Sequence, residues 1–290
     1  MSEKKVLLAG LPSSGKTTFV AALWYYVLNA DSNLTIDSVK GSEDEYLNEI
    51  SLLWAKYQPV PRTLLNQTNF QGDSIKMNLL NKETDQKLVL NIPDFSGETY
   101  RIQFEDRSWD KRYFELVKEI SGIILFIDPN DKKSKCELIF HENNYLRMWG
   151  DEVPTDQIAP LKTWDYSDVP SQVKLVDALQ FLVFHKPQIK DIKVSVVISA
   201  WDKIQKIYSP DYSPVTWTEK HMPLLYQYLI TNEETFKSRF YGISAQGGDY
   251  GDIEDKLRLQ AFDPLERIIV KEDADLSKDI IRPILWATHD

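Results

Sequence analysis

Residues Gly10 to Thr17 read GLPSSGKT. Before them lies Lys5 to Ala9, a short apolar run suited to a buried strand. After them, Lys16 to about Asn29 reads as a helix that is apolar nearly all round. Strand, glycine-bounded loop and helix are the setting that the pattern G-x-x-x-x-G-K-[ST] requires. Its chemistry is phosphate binding. The glycines let the backbone curl with its N–H groups inward, and the helix N-terminus adds positive potential. Gly10, Ser13, Ser14, Gly15, Lys16, Thr17 and Thr18 form the candidate phosphate site. Lys16 is placed to neutralise the β- and γ-phosphates, and the Thr17 hydroxyl to ligate Mg²⁺.

Working outward, apolar β-rich runs alternate with helical patterns, which predicts an α/β fold with a mainly parallel sheet. The all-apolar first helix needs cover beyond its sheet-facing side. Ser42 to Gln58 can supply it, with Tyr46, Leu47, Ile50, Leu53 and Tyr57 on one helical face. Ser74 to Leu80 and Lys87 to Ile92 read as a hairpin around the polar turn NKETDQ. Gly122 to Asp128, Lys193 to Ala200 and Phe236 to Ile243 read as further strands. Tyr113 to Glu119, Gln172 to His185 and Trp217 to Thr231 read as helices. Beyond Gly251 the expectation is helix and loop. The expected organisation is one domain over residues 1–250, with insertions at about 31–62 and 131–170. Residues 251–290 are expected to pack on it as a helical extension.

Three further stretches follow strands in the order a nucleotide site needs. Asp94 to Glu98 read DFSGE. A carboxylate at a strand end beside the phosphate loop can hold Mg²⁺, and Gly97 can offer its N–H to a γ-phosphate with no side chain in the way. Ser199 to Asp202 read SAWD. Asp202 can accept from guanine N1–H and N2–H₂, a donor pair that adenine lacks. A helix N-cap ahead of Lys203 explains the same aspartate equally simply. Ser244 to Gln246 read SAQ, where the Ala245 N–H can reach guanine O6. Each is weak alone; their order gives them weight.

Together these elements resemble a TRAFAC-class GTPase of the Ras-like kind over about Lys4 to Gly247. The five elements are GLPSSGKT, a loop with Thr63 and Thr68, DFSGE, SAWD in place of N-K-x-D, and SAQ in place of S-A-K. The phosphate loop followed by TTFVAALW, the SAWD and the tail PILW resemble the bacterial double-GTPase group, which is associated with conflict or anti-phage systems, often beside a second GTPase. The resemblance implies a Ras-like P-loop domain that binds GTP and GDP with Mg²⁺. It implies Mg²⁺ ligation by Thr17, Asp94 and Thr63 or Thr68. Base contacts fall to Asp202, Lys203, Ser244, Ala245 and Gln246. Glu98 stands where a water-orienting Gln is usual, and Arg62 is a candidate arginine finger in cis. Ser199 and Ala200 depart from the usual Asn and Lys; Trp201 or Lys203 is available to cover the base face in their stead.

Bulk composition narrows the alternatives. The 290 residues carry 34 Lys+Arg against 44 Asp+Glu, a net charge of -10. Such a surface repels nucleic acid and anionic lipid; the resemblance implies a protein partner, a second GTPase or an effector subunit. A single cysteine, Cys136, and the lack of a spanning or lipidation signal lead to the expectation of a cytoplasmic protein without a membrane anchor. Two other readings stay open. Asp128, ending GIILFID, can serve as the Walker B aspartate of an ATPase. The altered SAWD and Glu98 also suit a hydrolysis-deficient assembly subunit.

Overall fold

The computed structural model describes residues 3–38, 42–61, 74–93, 97–108, 111–131, 165–185 and 190–289. Elements run in chain order as follows. Strand β1 (Lys4–Gly10) leads into helix α1 (Lys16–Asn29), then β2 (Leu34–Ile36) and α2 (Ser42–Ala55). The hairpin of β3 (Ser74–Asn81) and β4 (Gln86–Pro93) precedes α3 (Gly97–Asp106), α4 (Lys111–Lys118) and β5 (Gly122–Ile127). Next come α5 (Ser171–His185), β6 (Ile192–Ile198), α6 (Trp201–Gln205), α7 (Pro214–His221), α8 (Pro223–Thr231) and β7 (Phe236–Ser244). The chain closes with α9 (Ile253–Gln260), β8 (Ile269–Glu272), β9 (Asp275–Ser277) and α10 (Arg282–Thr288).

Among the described residues the strands form one sheet in the order β2-β3-β4-β1-β5-β6-β7-β8-β9. Its centre, β4-β1-β5-β6-β7, is parallel, and both margins are antiparallel. The register sets Gly10 beside Phe126, Phe126 beside Val197 and Val197 beside Tyr241. The C-terminal ends of four strands therefore open at one edge, where an α/β sheet binds its ligand.

Side chains alternate across this sheet with a period of two. Leu8, Ile124 and Phe126 join a core layer with α1, α2 and α10. Leu7, Ile123, Leu125 and Ile127 join the opposite layer with α5 to α8. Helix α1 is buried on several sides, and α2 supplies the cover through Leu47, Ile50 and Trp54. All three are fully buried, and Trp54 lies outside the apolar face expected from spacing. The Trp24 indole donates to Asn48 Oδ1 at 2.8 Å, fixing α2 against α1.

Two expectations are corrected. The helix expected over Trp217 to Thr231 is two helices, parted at Met222 because Pro223 cannot continue the hydrogen-bond ladder and disfavours helix in the residue before it. The segment beyond Gly251 holds more than helix and loop: β8 and β9 form a hairpin that extends the sheet from β7. Its buried Lys271 directs Nζ to the carbonyls of Pro210 and Ala274. Helix α10 packs so closely on β5 that a Cβ on Gly122 would stand 2.4 Å from Ala287 O. Most of the insertion expected at 131–170 lies outside the described residues. No helix of the described residues is long and apolar enough to cross a membrane.

Candidate functional site

The phosphate loop occupies the turn between β1 and α1. Gly10 has φ +142° and Gly15 φ +89°, backbone that favours glycine. Space excludes side chains as well. A Cβ on Gly10 would lie 2.7 Å from Phe126 O, and one on Gly15 would lie 3.0 Å from Ser199 Cβ. Gly15 caps α1 without a side-chain bond to the first turn, and the first N–H groups of a helix have no intrahelical acceptor. Lys16 arches back over the loop and donates to Gly10 O at 2.6 Å, Leu11 O at 2.9 Å and Ser14 Oγ at 3.2 Å. The Gly10 N–H donates to Tyr100 Oη at 3.1 Å. Helix α3, opened by Gly97 of DFSGE, thus touches the first glycine of the phosphate loop. Burial pushes the Tyr100 phenol up to about 12, so it stays protonated at neutral pH.

The residues expected to read the base converge on the same edge. A cavity of about 320 Å³ is lined by Ser13, Gly15 and Thr18 on one side and by Asp202, Ala245 and Gln246 on the other. Lys203 and Ser244 also line it. Ser244 Oγ donates to Asp202 Oδ1 at 2.5 Å and accepts from Gly247 N–H at 2.9 Å. Asp202 is 7% exposed, and its second oxygen, Oδ2, is buried with no hydrogen-bond partner. A buried carboxylate oxygen without a donor is costly. Asp202 belongs to the lining of the cavity whose other end is the phosphate loop. The donor set of a guanine edge fits it.

The residues between the strand and Asp202 do other work. Ser199 N–H and Oγ both donate to Ile127 O at 3.0 Å, while its Cβ faces Gly15. Ala200 takes the left-handed conformation at φ 46°, ψ 43° and caps α6. Trp201 turns into the core at 1% exposure, over Gly242. It cannot cover a base face, which corrects that sequence-based expectation. Lys203 can, and it pairs with Asp249 at 3.4 Å across the cavity mouth. Asp128 lines the cavity too, but its Oδ1 accepts from Asn130 N and Nδ2 at 2.9 and 3.1 Å in a strand-ending turn.

Arg62, Thr63, Thr68 and Asp94 lie outside the described residues, as does the side chain of Glu98. The described residues contain no cluster of three His, Cys, Asp or Glu side chains for a metal. A Mg²⁺ seat made of the Thr17 hydroxyl, one carboxylate and phosphate oxygens needs no such cluster. Spacing did not point to Tyr100, Trp54 or Arg267 as parts of the site. The Trp54 indole donates to Ala245 O at 3.0 Å. Arg267, 3% exposed, donates to Trp54 O at 3.3 Å.

A glycine-bounded phosphate loop at the mouth of a mainly parallel sheet, facing an aspartate with a free buried oxygen, defines a P-loop domain of the GTPase class. A family model described as Double-GTPase 1 matches residues 7–287. The chain belongs to that family, and its class is that of GTP-binding, GTP-hydrolysing proteins. No curated protein matches the chain. Among solved structures it is similar to a bacterial selenocysteine-specific elongation factor, EF-Sec, at 15% identity and a TM-score of 0.36. That match covers 90% of this chain and 29% of the factor, so the chain spans under a third of that relative's length. It is also similar to a chain of the signal recognition particle receptor SRb-GTP/SRX complex from Chaetomium thermophilum. There the identity is 15% and the TM-score 0.35, with 84% of this chain and 91% of that chain covered.

Proposed function

We propose that the chain is a Mg²⁺-dependent GTP switch whose nucleotide state is read by a protein partner. The observation that carries the guanine reading is Asp202, which lines the cavity that also holds Gly15 and Thr18 and whose Oδ2 is buried without a partner. Two guanine donors, N1–H and N2–H₂, would satisfy it; adenine presents no such pair. The Ala245 N–H is assigned to guanine O6, and Lys203 to the base face.

Phosphate handling follows from the loop. The N–H groups at the start of α1 hold the phosphate oxygens, and Lys16 exchanges its carbonyl partners for the β- and γ-phosphates. Thr17 and Asp94, with Thr63 or Thr68, are assigned to Mg²⁺, which when bound spreads the charge developing on the transferred phosphoryl group. Gly97 is assigned to the γ-phosphate, Glu98 to the attacking water and Arg62 to the transition-state charge. Support for a switch is the direct bond from Gly10 to Tyr100, which ties the segment after DFSGE to the phosphate loop. The proposed partner is a second GTPase or an effector subunit; the double-GTPase resemblance supports it and a setting in conflict or anti-phage systems.

Competition binding with Mg²⁺ tests the reading. GTP and GDP are expected to displace a labelled guanine nucleotide at least tenfold better than ATP, and Lys16→Ala to lose binding. Normal nucleotide binding by Lys16→Ala would sink the phosphate-site assignment. Victory for ATP would transfer the chemistry to Asp128.

A further inference from the structure

The loop that reads the base is held from outside, by residues far away in sequence. Ala245 O accepts from the Trp54 indole of α2 at 3.0 Å. Two residues on, Gly247 O accepts from Arg258 Nη2 at 3.0 Å. Gly247 itself has φ +77°, and a Cβ there would lie 2.4 Å from Arg267 O. Arg267 then closes the structure. Its guanidinium stacks over the rings of Trp54 and Tyr57, with centroid distances of 4.5 and 4.2 Å. It donates to Trp54 O at 3.3 Å, Ala55 O at 3.4 Å and Tyr250 Oη at 3.0 Å.

This is an unusual use of a buried charge. A guanidinium 3% exposed normally requires an acid. Among the described residues no carboxylate pairs with Arg267; carbonyls at the C-terminal end of α2 take that role, where helix carbonyls lack intrahelical donors. The flat cation fills the gap between Trp54 and Tyr57 and fixes the indole plane. A fixed indole fixes the Ala245 carbonyl, and with it the peptide geometry beside the Ala245 N–H.

We infer that Trp54 and Arg267 are positioning residues for guanine recognition: Arg267 clamps Trp54, and Trp54 sets the Ala245 backbone that reads guanine O6. The inference rests on the guanine reading above. It assigns to α2, an insertion between α1 and β3, a part in base selection.

The test measures affinities of GTP, ITP and 6-thio-GTP for the full chain and for Trp54→Phe. That variant keeps an aromatic ring beneath Arg267 and deletes the N–H donor together with one ring of the buried indole. ITP lacks the N2 amine that Asp202 reads but keeps O6. In 6-thio-GTP a sulfur, a weak acceptor, replaces O6 while N1–H and N2–H₂ remain. Trp54→Phe is expected to weaken GTP and ITP by the same factor, roughly 3- to 10-fold, the worth of one neutral hydrogen bond. 6-thio-GTP should hold its affinity, so the preference for GTP over 6-thio-GTP shrinks while that for GTP over ITP stays. Equal weakening of all three ligands assigns Trp54 a purely structural role and overturns the inference, as does no change in any. Should Trp54→Phe not fold, Arg267→Lys, which removes the planar stack and the forked donors, is expected to give the same ligand pattern. A wild-type chain that fails to separate GTP from both analogues overturns the base-reading assignment itself.

Discussion

Replacing Asp202 by Asn should move the chain's preference from guanine to xanthine. Asp202 Oδ1 accepts from Ser244 Oγ at 2.5 Å. An asparagine keeps that bond through its own Oδ1, so its Nδ2 falls where the partnerless Oδ2 now stands. A donor then faces the guanine N2 amine, also a donor, and two hydrogen bonds to a charged acceptor are lost or reversed. Bonds to charged groups are worth about 1.5–3 kcal/mol each. Allowing for non-additivity, GTP should weaken by about 3–5 kcal/mol, or roughly 150- to 5,000-fold. Xanthine carries a carbonyl in place of that amine, so XTP should bind the variant better than it binds the parent. The assay is competition of GTP and XTP against a labelled nucleotide, with thermal melting as a check on folding. A folded Asp202→Asn chain that still prefers GTP over XTP would refute the assignment of the buried oxygen to the base.

Tyr100→Phe removes the acceptor of the Gly10 N–H without adding bulk; urea unfolding should show a loss of about 1–2 kcal/mol. Gly242→Ala would set a Cβ 2.1 Å from Trp201 Cδ2, so the indole that anchors Asp202 has to move. Overpacking of about 1–3 kcal/mol should lower the melting temperature by roughly 2–12 °C, and GTP affinity should fall with it. The Lys206 ammonium and the Asp249 N–H hold the Asp255 carboxyl down at about 2. A depressed carboxyl stabilises the fold above its unfolded pKa of about 3.9 and loses that contribution as pH falls toward 2, on the order of 1 kcal/mol after solvent screening. Acid titration of unfolding for Asp255→Asn should lack this step.

The fold was legible where its cause is local. The phosphate loop announces itself because glycine geometry and helix start fall within eight residues, and β5 and most of β6 are apolar runs that a buried sheet accommodates. The strands β8 and β9 escaped notice because four and three residues are too few to show a period of two. The placement of Asp202 and Ser244 at strand ends was legible, yet their hydrogen bond to each other and the oxygen left without a donor are tertiary facts. Tyr100, Trp54 and Arg267 could not be read from spacing at all. Their site partners lie 90 to 213 positions away along the chain, and an aromatic or arginine on a helical face looks like core or surface until its neighbour is known.

The departure of SAWD from N-K-x-D has a structural logic in these contacts. Ser199 sits so close to Gly15 that a Cβ on the glycine would already crowd it at 3.0 Å. Its hydroxyl spends its bond on the Ile127 carbonyl of the adjacent strand. The seam between phosphate loop and base loop is therefore closed by tight backbone approach. Ala200 bends the chain in a left-handed turn that sends Trp201 into the core, and this sets the first turn of α6 on a large buried anchor. On the proposed base assignment, the share of affinity that a lysine at position 200 would have drawn from the base face, beyond what Lys203 supplies, must come from Asp202 and the Ala245 amide. Pre-organisation does that by reducing what binding has to order. Trp54 at Ala245 O, Arg258 at Gly247 O and Ser244 between Asp202 and Gly247 are the bonds that supply it. On this argument, loosening any of the three should cost guanine affinity more than it costs the stability of the sheet beneath.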